Sequence, residues 1–545
     1  MLELYIILRI LVYAIGIRCA AAVGTVVKAA GCTIYGTRCE HSTSNAFLGI
    51  PYARPPLGDL RFASPQPAHD TNFIDATKQK PNCLQFGLAF IEPGPQSENC
   101  LFLNIFTPHN ATLESSLPVK AWIHGGGNSA DGITNPLYNG CATADDAIVV
   151  TINYRLGPLG YLALEQAGLE GNYGIQDQLL ALQWIQDNIA AFGGDPTKVL
   201  LFGESAGAYD AFTISTLPQA PSLFSAVISE SGSGQDLPTF SQVQYHNNRI
   251  ARAFGCDPAD VVCLRRLNTT AMNDTLLENG PKVLTVAVSL LTNENTGISW
   301  SPVVDGKTIP DQPRKVGTKV PAIFGTNGNE GAIFFWLLDS PFAGFNETMY
   351  DTFIDYNFGP WASSVKAQYS ISRFGAKEYP TFAAMSAILT DFYFKCPTYR
   401  ALKGAVDKNV PVFSYLFNNT PSCSWLPAIP QDRQLLDTLG ATHTSDIPFV
   451  FAITENLPPP HGNCSFTQRE RGISNFLVKA WTSMASRQSP GTDSVWPAWD
   501  RVDSMGLVID NVPDAGYLDY NVCYFWDVVS LNITELSQTD IPYES

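Results

Sequence analysis

Short apolar runs alternate along this chain with amphipathic helical patterns, and that alternation restricts the fold more than any other feature. The runs at 119–123, 147–154, 199–202, 226–229, 320–324 and 412–417 lack the polar alternation of a strand with one wet face. Their length and uniform apolarity suit strands buried on both faces. Between them, 175–192 places Ile175, Leu179, Leu182, Ile185 and Ile189 on one helical face and stops at Gly193-Gly194. The segment 473–484 repeats the pattern with Ile473, Phe476, Leu477, Ala480, Trp481 and Met484. Strand and helix in alternation predict an α/β protein with a central, mostly parallel sheet flanked by helices. Chemistry in such sheets gathers at the carboxyl ends of the strands.

The chain is long, 545 residues, yet shows no internal repeat, low-complexity block or charge run, so 23–545 reads as a single catalytic domain. Its net charge of −17 argues against a nucleic-acid partner, because phosphate binding needs a basic surface. No later run approaches the ~20 apolar residues of a membrane span, so no membrane anchor is expected. Residues 1–22 read as a signal peptide: 4–17 is nearly all apolar, and Ala20, Ala21 and Ala22 follow. Glu3 and Arg9 depart from the usual pattern. Asn-x-Ser/Thr sites at Asn110, Asn268, Asn273, Asn346, Asn418, Asn463 and Asn532 fit a secreted glycoprotein. Of 12 cysteines one, Cys19, lies in the leader, and the rest lack metal-site spacing, so disulfides are expected.

Gly203-Glu204-Ser205-Ala206-Gly207 follows the run 199–202 and opens a helical stretch. This is a G-x-S-x-G turn in strand–turn–helix context, where small residues on either side let a strained serine project its hydroxyl. A serine needs a base to take its proton. His246, His443 and His461 follow Ser205, and His443 is the best placed, in a turn-like lead into an apolar stretch. An acid must orient that base. Glu330, in the Gly- and Asn-rich turn after 320–324, is the leading candidate, although a solvated turn carboxylate reads equally well from the residues alone. His124-Gly125-Gly126-Gly127 after 119–123 suits an oxyanion hole, with N–H groups of Gly126, Gly127 and Ala206 as donors. His124 is expected to brace the loop, and Glu204 to set a negative charge beside the nucleophile, with bracing of the turn as its plainer reading.

With those residues in place, the sequence resembles the type-B carboxylesterase/lipase family, which includes cholinesterases and fungal lipases. The likeness rests on Phe47-Leu48-Gly49-Ile50-Pro51-Tyr52-Ala53, Glu98-Asn99-Cys100-Leu101-Phe102-Leu103-Asn104-Ile105 and Asn153-Tyr154-Arg155-Leu156-Gly157. It also rests on the stretch from Gly171-Asn172-Tyr173-Gly174 through Gly193-Gly194-Asp195-Pro196 to Ser205. The resemblance implies the α/β-hydrolase fold, a Ser205–His443–Glu330 triad, an oxyanion hole from Gly126, Gly127 and Ala206, and no cofactor or metal. It implies Ser231 as a support for the acid, and ion pairs Arg54–Glu98 and Arg155–Asp177. It further implies disulfides Cys83–Cys100, Cys256–Cys263 and Cys396–Cys523. Cys32–Cys39 and Cys423–Cys464 are weaker expectations that leave Cys141 unpaired.

Departures from the family shape the substrate expectation. The 83–100 loop is short and lacks a Trp, so cation recognition of the cholinesterase kind is not expected, while Phe86 and Phe90 can line an apolar mouth. A short loop also argues for an esterase over a lipase with a mobile lid. Asn128 stands where an apolar residue is frequent and is expected to make the pocket wall more polar. Trp300 reads equally as an acyl-side wall or as core. The expected activity is hydrolysis of small-molecule esters, with short- to medium-chain or aryl substrates. The alternatives are a lipase or sterol esterase and, more remotely, a non-catalytic adhesion ectodomain.

Overall fold

The computed structural model describes residues 24–40, 42–68, 72–87, 90–279, 300–337, 342–491 and 495–536. The expected leader, 1–22, lies outside them. Its frame is a sheet of 11 strands among the described residues. In chain order these are β1 (Thr37–Arg38), β2 (Asn45–Pro51), β3 (Phe102–Thr107), β4 (Leu117–Ile123), β5 (Ile148–Ile152) and β6 (Gly194–Glu204). There follow β7 (Ala226–Glu230), β8 (Ala322–Asn327), β9 (Val412–Phe417), β10 (Met505–Ile509) and β11 (Asp514–Tyr517). Across the sheet they run β11-β10-β9-β8-β7-β6-β4-β5-β3-β2-β1. From β10 to β5 every neighbouring pair is parallel, and antiparallel strands extend both ends.

The six apolar runs fall on β4 to β9, and β5, β7 and β8 are buried at every residue, as strands covered on both faces must be. Pro321 delays the start of β8 to Ala322. Helix α1 (Tyr173–Asn188) continues as a 3₁₀ turn over Ile189–Phe192 and ends at Gly193, whose φ of +87° is a left-handed stop. Helix α2 (Ala206–Ser215) leaves directly from the end of β6, and α3 (Gln468–Arg487) covers the second helical pattern. A capping box in which Thr467 and Glu470 exchange hydrogen bonds starts α3. Trp481 of α3 donates its indole N–H to Glu230 Oε1 at the end of β7, at 2.7 Å.

Register places the strand ends side by side. Gly203 pairs with Ile123, Glu204 with Glu230, and Glu230 with Gly325. The carboxyl ends of β4, β6, β7 and β8 therefore form one rim.

Five disulfides join described cysteines, and four match expectation: Cys83–Cys100, Cys256–Cys263, Cys396–Cys523 and Cys423–Cys464. The fifth corrects it: Cys39 bridges Cys141, 102 residues away, rather than Cys32. Cys39 N donates to Ser44 O in the turn before β2, and Ser44 Oγ donates to Cys141 O at 3.1 Å, which holds the two segments together. Cys32 instead starts a strand of a separate three-stranded sheet, with Sγ 3.2 Å from Ala29 O.

A second correction concerns Glu98. Its partner is Arg61, whose Nε donates to Oε2 at 2.7 Å and whose Nη2 pairs with Oε1. Arg61 fits because Leu267 O accepts from its remaining Nη1, whereas Arg54 reaches Gln66. Arg155–Asp177 forms as expected, with Nε and Nη2 of Arg155 on the two carboxylate oxygens at 2.8 and 2.7 Å. Both side chains are almost fully buried, at 4% and 0% exposure. Removing one buried partner strands the other charge. Asp177→Asn is therefore expected to cost about 3 kcal/mol or more of stability. Thermal melting checks this, and an unchanged midpoint would contradict a structural role for the pair.

Candidate active site

Strain at the end of β6 presents Ser205. Its φ of 56° and ψ of −124° lie where an L-residue is rarely found. Glycines make that turn possible: a Cβ on Gly203 would come within 2.6 Å of Gly207 backbone, and one on Gly207 would collide with the carbonyl of Ile123. Ser205 N donates to Glu230 O at 2.9 Å, tying the turn to β7. Ser205 is partly exposed, while Glu204, Glu330 and His443 are buried.

Glu330 and His443 meet across a long sequence gap. His443 Nδ1 lies 2.7 Å from Glu330 Oε2. Asn327 at the end of β8 donates its backbone N–H to Glu330 Oε1 at 2.7 Å, so both oxygens of the carboxylate accept a hydrogen bond. The Asn327 side chain also donates to Thr442 O and to Asp446 Oδ1, fastening the His443 loop to the Glu330 turn. The imidazole packs against Phe394 and Phe334, at 4.7 and 5.1 Å between ring centres. Its Nε2 lies 3.1 Å from Glu204 Oε1 without the alignment of a hydrogen bond. Among the described residues the Ser205 hydroxyl makes no hydrogen bond. His246 lies on the helix Phe240–Ala253, and His461 is exposed in a loop, so neither joins this cluster.

Burial dominates the electrostatics. Glu204 is pushed well above the usual carboxylate range by desolvation, and further by Asp446, Glu330, Glu230 and Asp131. Glu230 is raised by burial and by Asp446, against the Trp481 hydrogen bond. Asp446 is pushed up to about 6 by burial and by Glu330. Sequence reading missed Asn327, Asp446, Phe334 and Phe394. Asn327 and Phe334 flank Glu330 in sequence and were legible in principle, but Phe394 carries no local signal.

The loop after β4 has three successive left-handed residues: Gly126 at φ 86°, Gly127 at 63° and Asn128 at 54°. Among the described residues no acceptor faces the N–H of Gly126 or Gly127, and Ala206 N–H is free as the first of a helix. His124 braces the loop: it is fully buried, stacks on Tyr154 at 4.5 Å, and its carbonyl accepts from Tyr154 OH at 2.8 Å. Burial holds its imidazole below the ordinary range, which favours the neutral form. Asn128 does not line a pocket wall as expected. It is 1% exposed, and its amide is taken up by Tyr154 and by Asp210, a carboxyl that burial pushes up to about 7. Ser231 follows β7 with its N–H donating to Gly325 O, and no hydrogen bond joins its hydroxyl to Glu330. Trp300 is buried in the core.

Described residues of the 83–100 loop pack against this region. Phe86 N donates to Ser129 O at 2.7 Å, and Gln85 Oε1 accepts from Asp131 N at 2.7 Å. Phe90 meets Phe334 edge-on at 6.2 Å, extending the aromatic surface around His443, whereas Phe86 is buried behind it.

Comparison with known proteins agrees with this architecture. The family model described as "Carboxylesterase family" matches residues 23–526. A para-nitrobenzyl esterase of Bacillus subtilis is 32% identical over 502 residues, covering 88% of this chain and 94% of that protein. Carboxylesterase 1D of Rattus norvegicus is 32% identical over 517 residues, 88% of each chain. Acetylcholinesterase-1 of Trittame loki is 31% identical over 499 residues, 83% of this chain and 84% of its own. With the family matched over nearly the whole length and the α/β frame in place, the chain belongs to the carboxylesterase family and is a hydrolase of carboxylic esters.

Proposed function

We propose that the protein is a secreted serine esterase that acts through Ser205, His443 and Glu330 on short- to medium-chain or aryl esters. The observation that carries the triad is the buried 2.7 Å contact of His443 Nδ1 with Glu330 beside the strained turn of Ser205. In this reading Ser205 Oγ attacks the ester carbonyl as its proton passes to His443 Nε2. Glu330 fixes the tautomer and stabilises the imidazolium. The carbonyl oxygen, now an alkoxide, accepts hydrogen bonds from the N–H groups of Gly126, Gly127 and Ala206. His443 then gives the proton to the departing alcohol, leaving an acyl-Ser205 ester. A water activated by His443 attacks that ester and releases the acid.

Glu204 sits 3.1 Å from Nε2, on the side where the proton arrives. Burial raises its pKa well above the ordinary carboxylate range, which favours the neutral form, and its proposed part is to support the turn. The aromatic surface of Phe90, Phe334 and Phe394 favours apolar acyl or aryl groups. Secretion is supported by the apolar leader, by the disulfides, and by sequons at Asn110, Asn268, Asn346, Asn418 and Asn463, all exposed. No described helix is long and apolar enough to cross a membrane.

Two experiments test this. On p-nitrophenyl esters from acetate to palmitate, turnover is expected to peak at short or medium chains and vanish in Ser205→Ala. A peak at palmitate with a jump above the solubility limit would replace the esterase reading with a lipase. Absence of Ser205-dependent turnover on every ester would overturn it. Separately, Glu330→Gln is expected to lower kcat by about 10²–10⁴, because the amide cannot hold the required tautomer. Glu204→Gln is isosteric and leaves the proposed proton path from Ser205 to His443 intact, and is expected to cost less than about 10-fold near pH 7. Equal losses in the two variants, read from steady-state kinetics, would contradict the assigned roles.

A further inference from the structure

The donors of the proposed oxyanion hole come from two separate segments, the loop at Gly126-Gly127 and the first turn of α2. Their mutual spacing decides whether the three N–H groups converge on one oxygen. Asn128 directly follows the loop glycines, and Asp210 lies on α2 five residues after Ser205. Asn128 Nδ2 donates to Asp210 Oδ1 at 3.3 Å, joining the two segments by side chains. Asn128 is held on its other sides by Tyr154 OH on Oδ1 at 3.1 Å and by Gly157 N on its backbone carbonyl at 2.7 Å. The second oxygen of Asp210 accepts from Gln178 Nε2 at 2.6 Å and from Tyr161 OH at 3.1 Å. Asp210 is fully buried, where an apolar residue would pack without the cost of desolvating a carboxyl. The loop is one that needs holding, since three left-handed residues in succession are not stabilised by any regular structure.

We propose that Asp210 is a positioning residue for the oxyanion hole: as an acceptor for Asn128, it holds the Gly126-Gly127 loop in register with the helix that carries Ala206. The inference rests on the esterase reading above, and the controls separate the two. Asp210 touches no reacting atom. Its effect therefore belongs in kcat, while substrate affinity, set elsewhere in the pocket, stays near that of the parent protein.

The test uses the purified full chain, its Ser205→Ala control, and the variants Asp210→Ala, Asn128→Ala, their double variant and Asp210→Asn. Kinetics on one soluble p-nitrophenyl ester are measured beside thermal melting. Each alanine variant is expected to lower kcat about 10- to 100-fold with KM within about 3-fold, as sub-ångström misplacement of a catalytic donor does. The double variant is expected to be no worse than either single, because both remove one bridge. Asp210→Asn keeps one acceptor oxygen but turns its NH2 toward a donor, either Asn128 Nδ2 or Gln178 Nε2, and is expected to be no better than about 10-fold below the parent in kcat. If Asp210→Ala does not fold, Asn128→Ala still decides the matter. Alanine variants with unchanged kcat, or fully additive losses, would each overturn the proposal. Loss of all Ser205-dependent turnover in the parent protein would instead sink the esterase reading itself.

Discussion

Four neighbouring parallel strands end in register, and the site depends on that ladder. Hydrogen bonding fixes Ile123 beside Gly203, Glu204 beside Glu230, and Glu230 beside Gly325. Each strand leads within a few residues of its end into a segment of the candidate site: β4 into the Gly126-Gly127 loop, β6 into the Ser205 turn, β7 into Ser231 and β8 into the turn of Glu330. Backbone closeness makes the arrangement compact: Gly207 packs on the carbonyl of Ile123 so tightly that no Cβ fits. A sheet buried on both faces has no freedom to slip register, so these spacings are set by the fold rather than by flexible loops.

Burial of carboxyls around His443 is the second constraint. Glu204, Glu230, Glu330 and Asp446 lie together with exposures of 1% or less. Each charged form would lack water and meet like charges, so burial comes first among the causes that raise Glu204, Glu230 and Asp446. Hydrogen-bond partners differ across the cluster. Glu330 accepts from Asn327 N and from His443, whereas Glu204 Oε1 has only the unaligned approach to Nε2.

Legibility in the sequence followed the range of the interaction. The Ser205 turn could be read because its requirement is local: small residues two positions either side, after an apolar strand. The strands β4 to β9 and helices α1 and α3 were legible because periodicity alone encodes burial on one or two faces. Glu330 and His443 are 113 residues apart, and residues alone left the acid open until family likeness singled it out. The Cys39–Cys141 bridge spans 102 residues, and nearness in sequence misdirected the pairing to Cys32. Arg61 displaced Arg54 at Glu98 because a carbonyl from Leu267, far along the chain, completes its niche. Asn128 departs from the family pattern, but its inward orientation depends on Tyr154 and Asp210, which no short motif joins.

The central claim is that one strained, partly exposed serine is the nucleophile. Its most direct test is stoichiometric reaction of the purified protein with a fluorophosphonate, followed by intact mass and peptide mapping. The account predicts one adduct per chain, on the peptide carrying Gly203-Glu204-Ser205-Ala206-Gly207, with loss of esterase activity in step with labelling. An adduct on another residue, or full esterase activity with Ser205 unlabelled, would contradict it.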